Sequence, residues 1–214
     1  MGHGNGRRQE DDATTSRTSR RLERALRRAS DAPLRTGNEV SLLENGPATY
    51  EDWLGAIAGA ERWVHLENYI FENDGVGRRF ADALSSKARE GVPVRILYDW
   101  FGSADVPRSF WEEMRHAGAE VRAVSPPSLR RGARRFVRRD HRKLVGVDGS
   151  YASVGGICIA DGWLERSSET GLPYRDTAVS FRGTAVAGCG LCRGGLEPLG
   201  GWLFGFLLQR LGLP

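Results

Sequence analysis

Lysine is nearly missing from this chain. Of its 31 basic residues only Lys87 and Lys143 are lysines, and the rest are arginines. Such a bias follows genome composition and names no function. It does make Lys143 informative, because a compact ammonium and a planar guanidinium are not interchangeable at a tight phosphate site. Cysteine is scarce too. Cys158, Cys189 and Cys192 are too few for a secreted disulfide framework. Cys189-x-x-Cys192 lacks a second ligand pair, which argues against zinc, and no metal site is expected elsewhere. No run of about 18 apolar residues occurs, so no transmembrane helix is expected. The Gly-, Arg- and Asp-rich N-terminus has no apolar segment of a secretory signal. These absences suggest a cytoplasmic protein, with peripheral contact at the inner membrane face left open.

The rest of the composition is that of an ordinary soluble domain. With 214 residues, 40% hydrophobic and 27% charged, the chain can bury one good core and carry a tail. Residues 1–37 read as a basic leader, polar at first and then Arg-rich enough over 16–29 for a basic helix. Such a helix can attract anionic lipid or nucleic acid, or simply be solvated. The ordered domain is expected over 38–187. Residues 188–214 break its pattern: they are Gly- and Leu-rich without a clear period, and 202–213 is apolar but too short to span a bilayer. A truncation or frame change is the preferred reason for that tail. A membrane-seeking or dimer-forming segment is the functional alternative.

Within the domain, strands alternate with helices. Strand patterns fall at 40–43, 62–71, 92–99, 120–124 and 178–181, and helical spacing at 49–60, 77–90 and 107–117. Residues 129–139 are basic and read as helix or loop. A hairpin is expected over 141–159. The alternation predicts an α/β protein with a mixed, largely parallel sheet flanked by helices on both faces.

The chemistry concentrates in that hairpin. His141 and Lys143 are two apart, so on an extended strand they share a face. Leu144, Val145 and Val147 carry the strand inward, and Asp148-Gly149 is a turn signal. The following strand ends in Gly155-Gly156, where backbone can approach a ligand closely. An imidazole, a fixed cation and bare backbone at one strand end suit an anionic group, most simply a phosphate.

His141-x-Lys143-x4-Asp148 with Gly155-Gly156 resembles the HKD motif of the phospholipase D superfamily. Its flanks, 65–71, 91–99 and 174–179, resemble the N-terminal half of bacterial cardiolipin synthases, and the likeness covers roughly 38–186. The resemblance implies an α/β/α sandwich and chemistry without metal or organic cofactor. It implies that His141 attacks phosphorus to form a phosphohistidine and that Lys143 holds the phosphoryl oxygens. Asp148 belongs to the motif, although at a turn it also reads as a backbone-fixing residue. Asp176 stands where relatives keep an acidic residue to orient the histidine. Where the family pattern places an asparagine, this chain has Cys158, a weak donor.

The family reaction joins two phosphatidylglycerol molecules and needs two such motifs, whereas this chain has one. A homodimer would supply the second. Three readings therefore stand: a phosphatidyltransferase or phosphodiesterase acting on anionic phospholipid, a homodimeric phosphodiesterase or nuclease, and an inactive half that only binds anionic phosphates or a partner. Nucleic acid ranks below lipid. Arg130, Arg131, Arg134, Arg135, Arg138 and Arg139, just before the motif, could draw in either, or form a solvated basic face.

Overall fold

In a computed structural model, the residues described are 21–26, 28, 29, 35–124, 126, 139–164 and 171–186. The Arg130, Arg131, Arg134, Arg135 and Arg138 cluster, the Cys189 and Cys192 pair and the 202–213 segment lie outside them. The chain divides into two compact units, residues 1–37 and 38–214. In the first, residues 21–26 are helical, and Leu22 and Leu26 are more than half exposed.

Among the described residues, the second unit contains seven strands, three α-helices and one 3-10 turn (Asp161–Trp163). The strands and α-helices are β1 (Asn38–Glu44), α1 (Asn45–Ala58), β2 (Val64–Asn68), α2 (Gly75–Arg89), β3 (Val94–Asp99), α3 (Arg108–His116), β4 (Glu120–Val124), β5 (Leu144–Val147), β6 (Tyr151–Gly155) and β7 (Thr177–Gly183). The strands form one sheet in the order β1-β7-β6-β5-β2-β3-β4. The fold class is therefore α/β with a mixed sheet. Its balance differs from a largely parallel one. Only β2–β3 and β3–β4 are parallel, and the other four pairs are antiparallel. The reason is local: β2, β3 and β4 are joined by helices, which permit parallel return, whereas β5 and β6 are joined by a tight turn, which forces reversal.

The two crossovers through α2 and α3 lead from each strand to its neighbour, so right-handed connection places both helices on one face. α1 packs against α2 on that same face. Tyr50 and Trp53 of α1 meet Phe80 of α2 edge to face, with ring centroids 5.5 and 6.2 Å apart. Beneath them Val64, Leu66, Val94, Ile96, Val145 and Val147 supply the sheet side of the core. No described helix of this unit lies on the other face, and Val40 and Leu42 of β1 are about two-thirds exposed there (65% and 64%). No described helix is long and apolar enough to cross a membrane.

α2 shows how the sequence sets its own boundary. Val76, Phe80 and Leu84 fall on one buried face, at four-residue spacing. Asp74 caps the first turn by accepting from Gly77 N–H at 2.8 Å, and Asp161 accepts from Gly75 and Val76 N–H at 3.1 and 2.7 Å. Lys87 and Arg89 sit in the last turn, where cations favour the helix dipole.

The β5–β6 turn has a second task. Asp148 and Gly149 both take positive φ, 56° and 72°, as a two-residue type I′ hairpin turn requires. The Asp148 carboxylate then accepts from three backbone N–H groups, of Glu61, Arg62 and Trp63, at 2.8, 2.8 and 2.7 Å. Partial burial pushes this carboxyl up, but the N–H donors of Glu61, Trp63 and Arg62 outweigh it and hold it below its usual range. The turn thus clamps the entry to β2.

Because the folded-state pKa is depressed, the clamp stabilises above the unfolded value of about 4 and is lost as pH falls through the folded one. Asp148→Ala should therefore cost about 2 kcal/mol at pH 7. The gap from wild type should shrink towards pH 3. Urea unfolding at both pH values measures this, and equal stability at pH 7 would dismiss the clamp.

Candidate active site

The parallel strands β2 and β3 end at the same edge of the sheet where β5 begins, β6 ends and β7 begins. Ligands of open α/β sheets bind outside the carboxyl ends of such strands. The segment 139–143 crosses this edge, and its residues alternate between two duties.

Asp140 and Arg142 point to the anchoring side. Asp140 N–H donates to Asp99 Oδ2 at 2.8 Å. The other Asp99 oxygen accepts from Phe101 and Gly102 N–H, both at 3.0 Å, so this carboxylate ties the end of β3 to the motif. Arg142 reaches Asp140 with Nε and Nη2 at 2.9 and 2.7 Å, a two-pronged contact. Its Nη2 also pairs with Glu67 Oε1 at 2.8 Å. Glu67 is buried in β2. Burial would raise the Asp140 carboxyl, but hydrogen bonding with Arg142 and Glu67 lowers it to about 2.

His141 and Lys143 are left for the opposite side. The His141 ring stacks on Tyr69, with centroids 3.8 Å apart and planes 20° from parallel. Its edge remains exposed. The Lys143 ammonium donates to the His141 carbonyl at 2.6 Å and lies 5.2 Å from the Tyr69 ring centroid. Imidazole and ammonium are thus held against one aromatic plane.

The glycine pair acts differently from a bare phosphate cradle. Gly155 N–H is engaged by the Lys143 carbonyl at 3.3 Å, and Gly156 N–H by the Thr177 carbonyl at 3.1 Å. Both donors are taken by the sheet in the unliganded protein. What the pair provides is space. A Cβ on Gly155 would stand 2.5 Å from Ala178, and one on Gly156 2.0 Å from Asp176 Oδ2. The missing side chains let β7 close up and bring the Asp176 carboxylate against the end of β6.

Asp176 is exposed, and its Oδ1 accepts from Thr177 N–H at 2.7 Å. No hydrogen bond joins it to His141 among the described residues. The buried Cys158 thiol is pushed up, first by burial and further by the Asp176 and Glu72 carboxylates, against the opposing pull of Lys143 and Ile70 N–H. It stays a protonated thiol surrounded by the charged groups of this edge, not a nucleophile.

His141, Lys143 and Asp176 are therefore gathered at one edge, with Gly155 and Gly156 as spacers. Asp148 is not. It leaves the opposite end of β5, roughly 20 Å from His141 by strand rise, and its assignment to the chemistry gives way to the clamp. Arg139 stacks its guanidinium over Phe101, 4.3 Å from the ring centroid. Sequence reasoning missed Tyr69, Asp140 and Arg142, and gave Glu67 and Asp99 no role. The signal available was the two-residue period: if His141 and Lys143 face one way, Asp140 and Arg142 must face the other. No group of three or more metal-type side chains is clustered among the described residues.

Comparison with known proteins agrees with this layout. Residues 54–181 match the family model described as "Cardiolipin synthase, PLD-like domain". The cardiolipin synthase of Alkalihalophilus pseudofirmus is 39% identical over 165 residues, which are 77% of this chain and 33% of that protein. The major cardiolipin synthase ClsA of Bacillus subtilis is 39% identical over 149 residues, 70% of this chain and 31% of its own. This chain thus spans about a third of the length of those relatives. Among solved structures, NucT from Helicobacter pylori shares the fold at a TM-score of 0.50 and 17% identity, covering 70% of this chain and 88% of NucT. Phosphatidylserine synthase from Haemophilus influenzae gives 0.53 and 12%, covering 70% of this chain and 34% of its own. Matched over more than half of its length, the chain belongs to the PLD-like domain family of cardiolipin synthases.

Proposed function

We propose that this chain cleaves or transfers phosphodiesters of anionic phospholipid through a phosphohistidine at His141. The observation that carries this reading is the division of labour along 140–143. Two residues are locked to Glu67 and Asp99, and the two between and beside them, His141 and Lys143, are presented together on Tyr69. A ring nitrogen of His141 attacks phosphorus, the P–N bond forms, and the P–O bond to the first alcohol breaks. That alcohol leaves with a proton from a general acid. An incoming alcohol or water then attacks phosphorus, gives up its proton and releases His141. Lys143 offsets the charge on the non-bridging oxygens throughout. Asp176, brought to the same edge by the close approach of β7 to Gly156, is assigned to orient the imidazole.

The general acid is a second copy of His141. A two-fold pair of chains would bring both copies to one phosphorus. NucT supports a one-domain chain, since this fold accounts for nearly all of its length. The second reading, a homodimeric nuclease, uses the same pairing of chains on a different phosphodiester. Phosphatidylglycerol as substrate, and contact with the membrane surface, are part of this proposal, and the similarity to cardiolipin synthases supports a lipid over a nucleic acid.

Turnover of phosphatidylglycerol vesicles, a bis-aryl phosphate and single-stranded DNA by the full chain tests these readings together. Activity on lipid, lost about 1,000-fold or more in His141→Ala, is the expected result. Activity on DNA alone selects the nuclease. No turnover of any substrate by a folded sample leaves the inactive half. Gel filtration should show a dimer in the active form. Lys143→Arg should lower kcat about 100-fold while the protein stays folded, because a guanidinium cannot occupy the ammonium position. Gly156→Ala should displace Asp176 and lower kcat about tenfold or more; unchanged kcat would show that Asp176 does not act on the reaction.

A further inference from the structure

The floor of this edge contains an unanswered polar group. Asn68, the last residue of β2, is 2% exposed, and neither its Nδ2 nor its Oδ1 has a hydrogen-bond partner. Burying an amide without partners costs stability, so an orphan with both donor and acceptor unmet calls for a ligand. Trp163 Nε1 is also unmet, but it is a single donor on a short helical turn.

Register shows what Asn68 faces. β2 and β5 pair Leu66 with Val145 and Glu67 with Leu144. One step further along this register Asn68 comes opposite Lys143, and Lys143 is itself still held in extended pairing on its other side, where its carbonyl accepts from Gly155 N–H of β6. Residues opposite each other in an antiparallel pair direct their side chains to the same face, with Cβ atoms about 5 Å apart. The carboxamide and the ammonium are therefore neighbours. In the unliganded protein the ammonium is folded back on the His141 carbonyl at 2.6 Å, and the carboxamide is left without it.

We infer that Asn68 is a phosphate-binding residue of this site: Nδ2 donates to a non-bridging oxygen of the bound phosphate, and Oδ1 accepts from Lys143 as the ammonium turns from the His141 carbonyl to the same phosphate. Both orphaned atoms are then satisfied by one event. The inference rests on the proposed phosphodiester function, because it assigns Lys143 to the phosphate.

Calorimetric titration of the full chain with inorganic phosphate tests it, beside Asn68→Leu, Asn68→Asp and Lys143→Ala. Asn68→Leu matches the volume and removes the orphan, so its Tm without phosphate should equal or exceed that of wild type. Its phosphate affinity should fall tenfold or more. Asn68→Asp keeps the acceptor, removes the donor and opposes the anion, so it should lose affinity as well, and it decides the matter if the leucine variant misfolds. Wild-type affinity in both Asn68 variants, with loss in Lys143→Ala, would overturn the inference alone: Asn68 would then hold only a buried water. Phosphate binding that survives Lys143→Ala, or none by wild type, would overturn the phosphate site itself and this inference with it.

Discussion

The contact on which this site depends is Arg142 held between Asp140 and Glu67. A guanidinium shared by two carboxylates at the sheet edge is a demanding arrangement. Only the carboxylates are buried and the guanidinium is half exposed, so removing it would leave buried acceptors unpaired at a cost of about 1–3 kcal/mol. The neighbouring residues inherit that rigidity. With Arg142 fixed to β2 and Asp140 fixed to β3 through Asp99, the backbone between them cannot rotate, and His141 and Lys143 must face away from the anchors. A one-residue slip would exchange the two sets, putting the imidazole against Glu67 and the guanidinium into the site. The anchor therefore specifies register as well as stability.

The same economy governs the second half of the edge. β6 and β7 approach so closely at Gly155 and Gly156 that any side chain would strike Ala178 or Asp176. Two glycines and one aspartate are thus a single steric unit. The Asp176 carboxylate reaches the site because Gly156 yields its place, and the backbone N–H groups stay in the ladder. Tyr69 completes the edge from β2, offering one face to both the imidazole and the ammonium.

Much of this was legible in the sequence. Apolar periodicity marked 77–90 and 92–99 within two residues of α2 and β3, because both bury one face against a single core. Asp148-Gly149 was legible as a turn, for a φ-positive pair has few alternatives. Three things were not. The balance of parallel and antiparallel pairs depends on which strands become neighbours, and local pattern carries no such information. The role of Gly155 and Gly156 depends on β7, more than 20 residues later in the chain. Asp148 sits in a short motif with His141 and Lys143, yet proximity along an extended strand is distance in space: the four residues of β5 run between the two, from one end of the sheet to the other.

The histidines define what the domain lacks. Of four in the chain, His65 is buried in the middle of β2 with its ring 4.4 Å from Trp63, and His116 ends α3. Among the described residues, His141 is the one histidine at the edge. A displacement at phosphorus needs both a nucleophile and a proton for the leaving oxygen, and a histidine cannot do both in one step, since its attacking form is neutral. The remaining neighbours are poor acids. Lys143 is the cation that phosphate oxygens require, and the Cys158 thiol is buried. Under the proposed reaction no second histidine at this edge is found among the described residues, and a second copy of the same edge would supply that proton without any further residue type. His141 is exposed and stacked on Tyr69, so under that proposal a second copy would meet it from the solvent side.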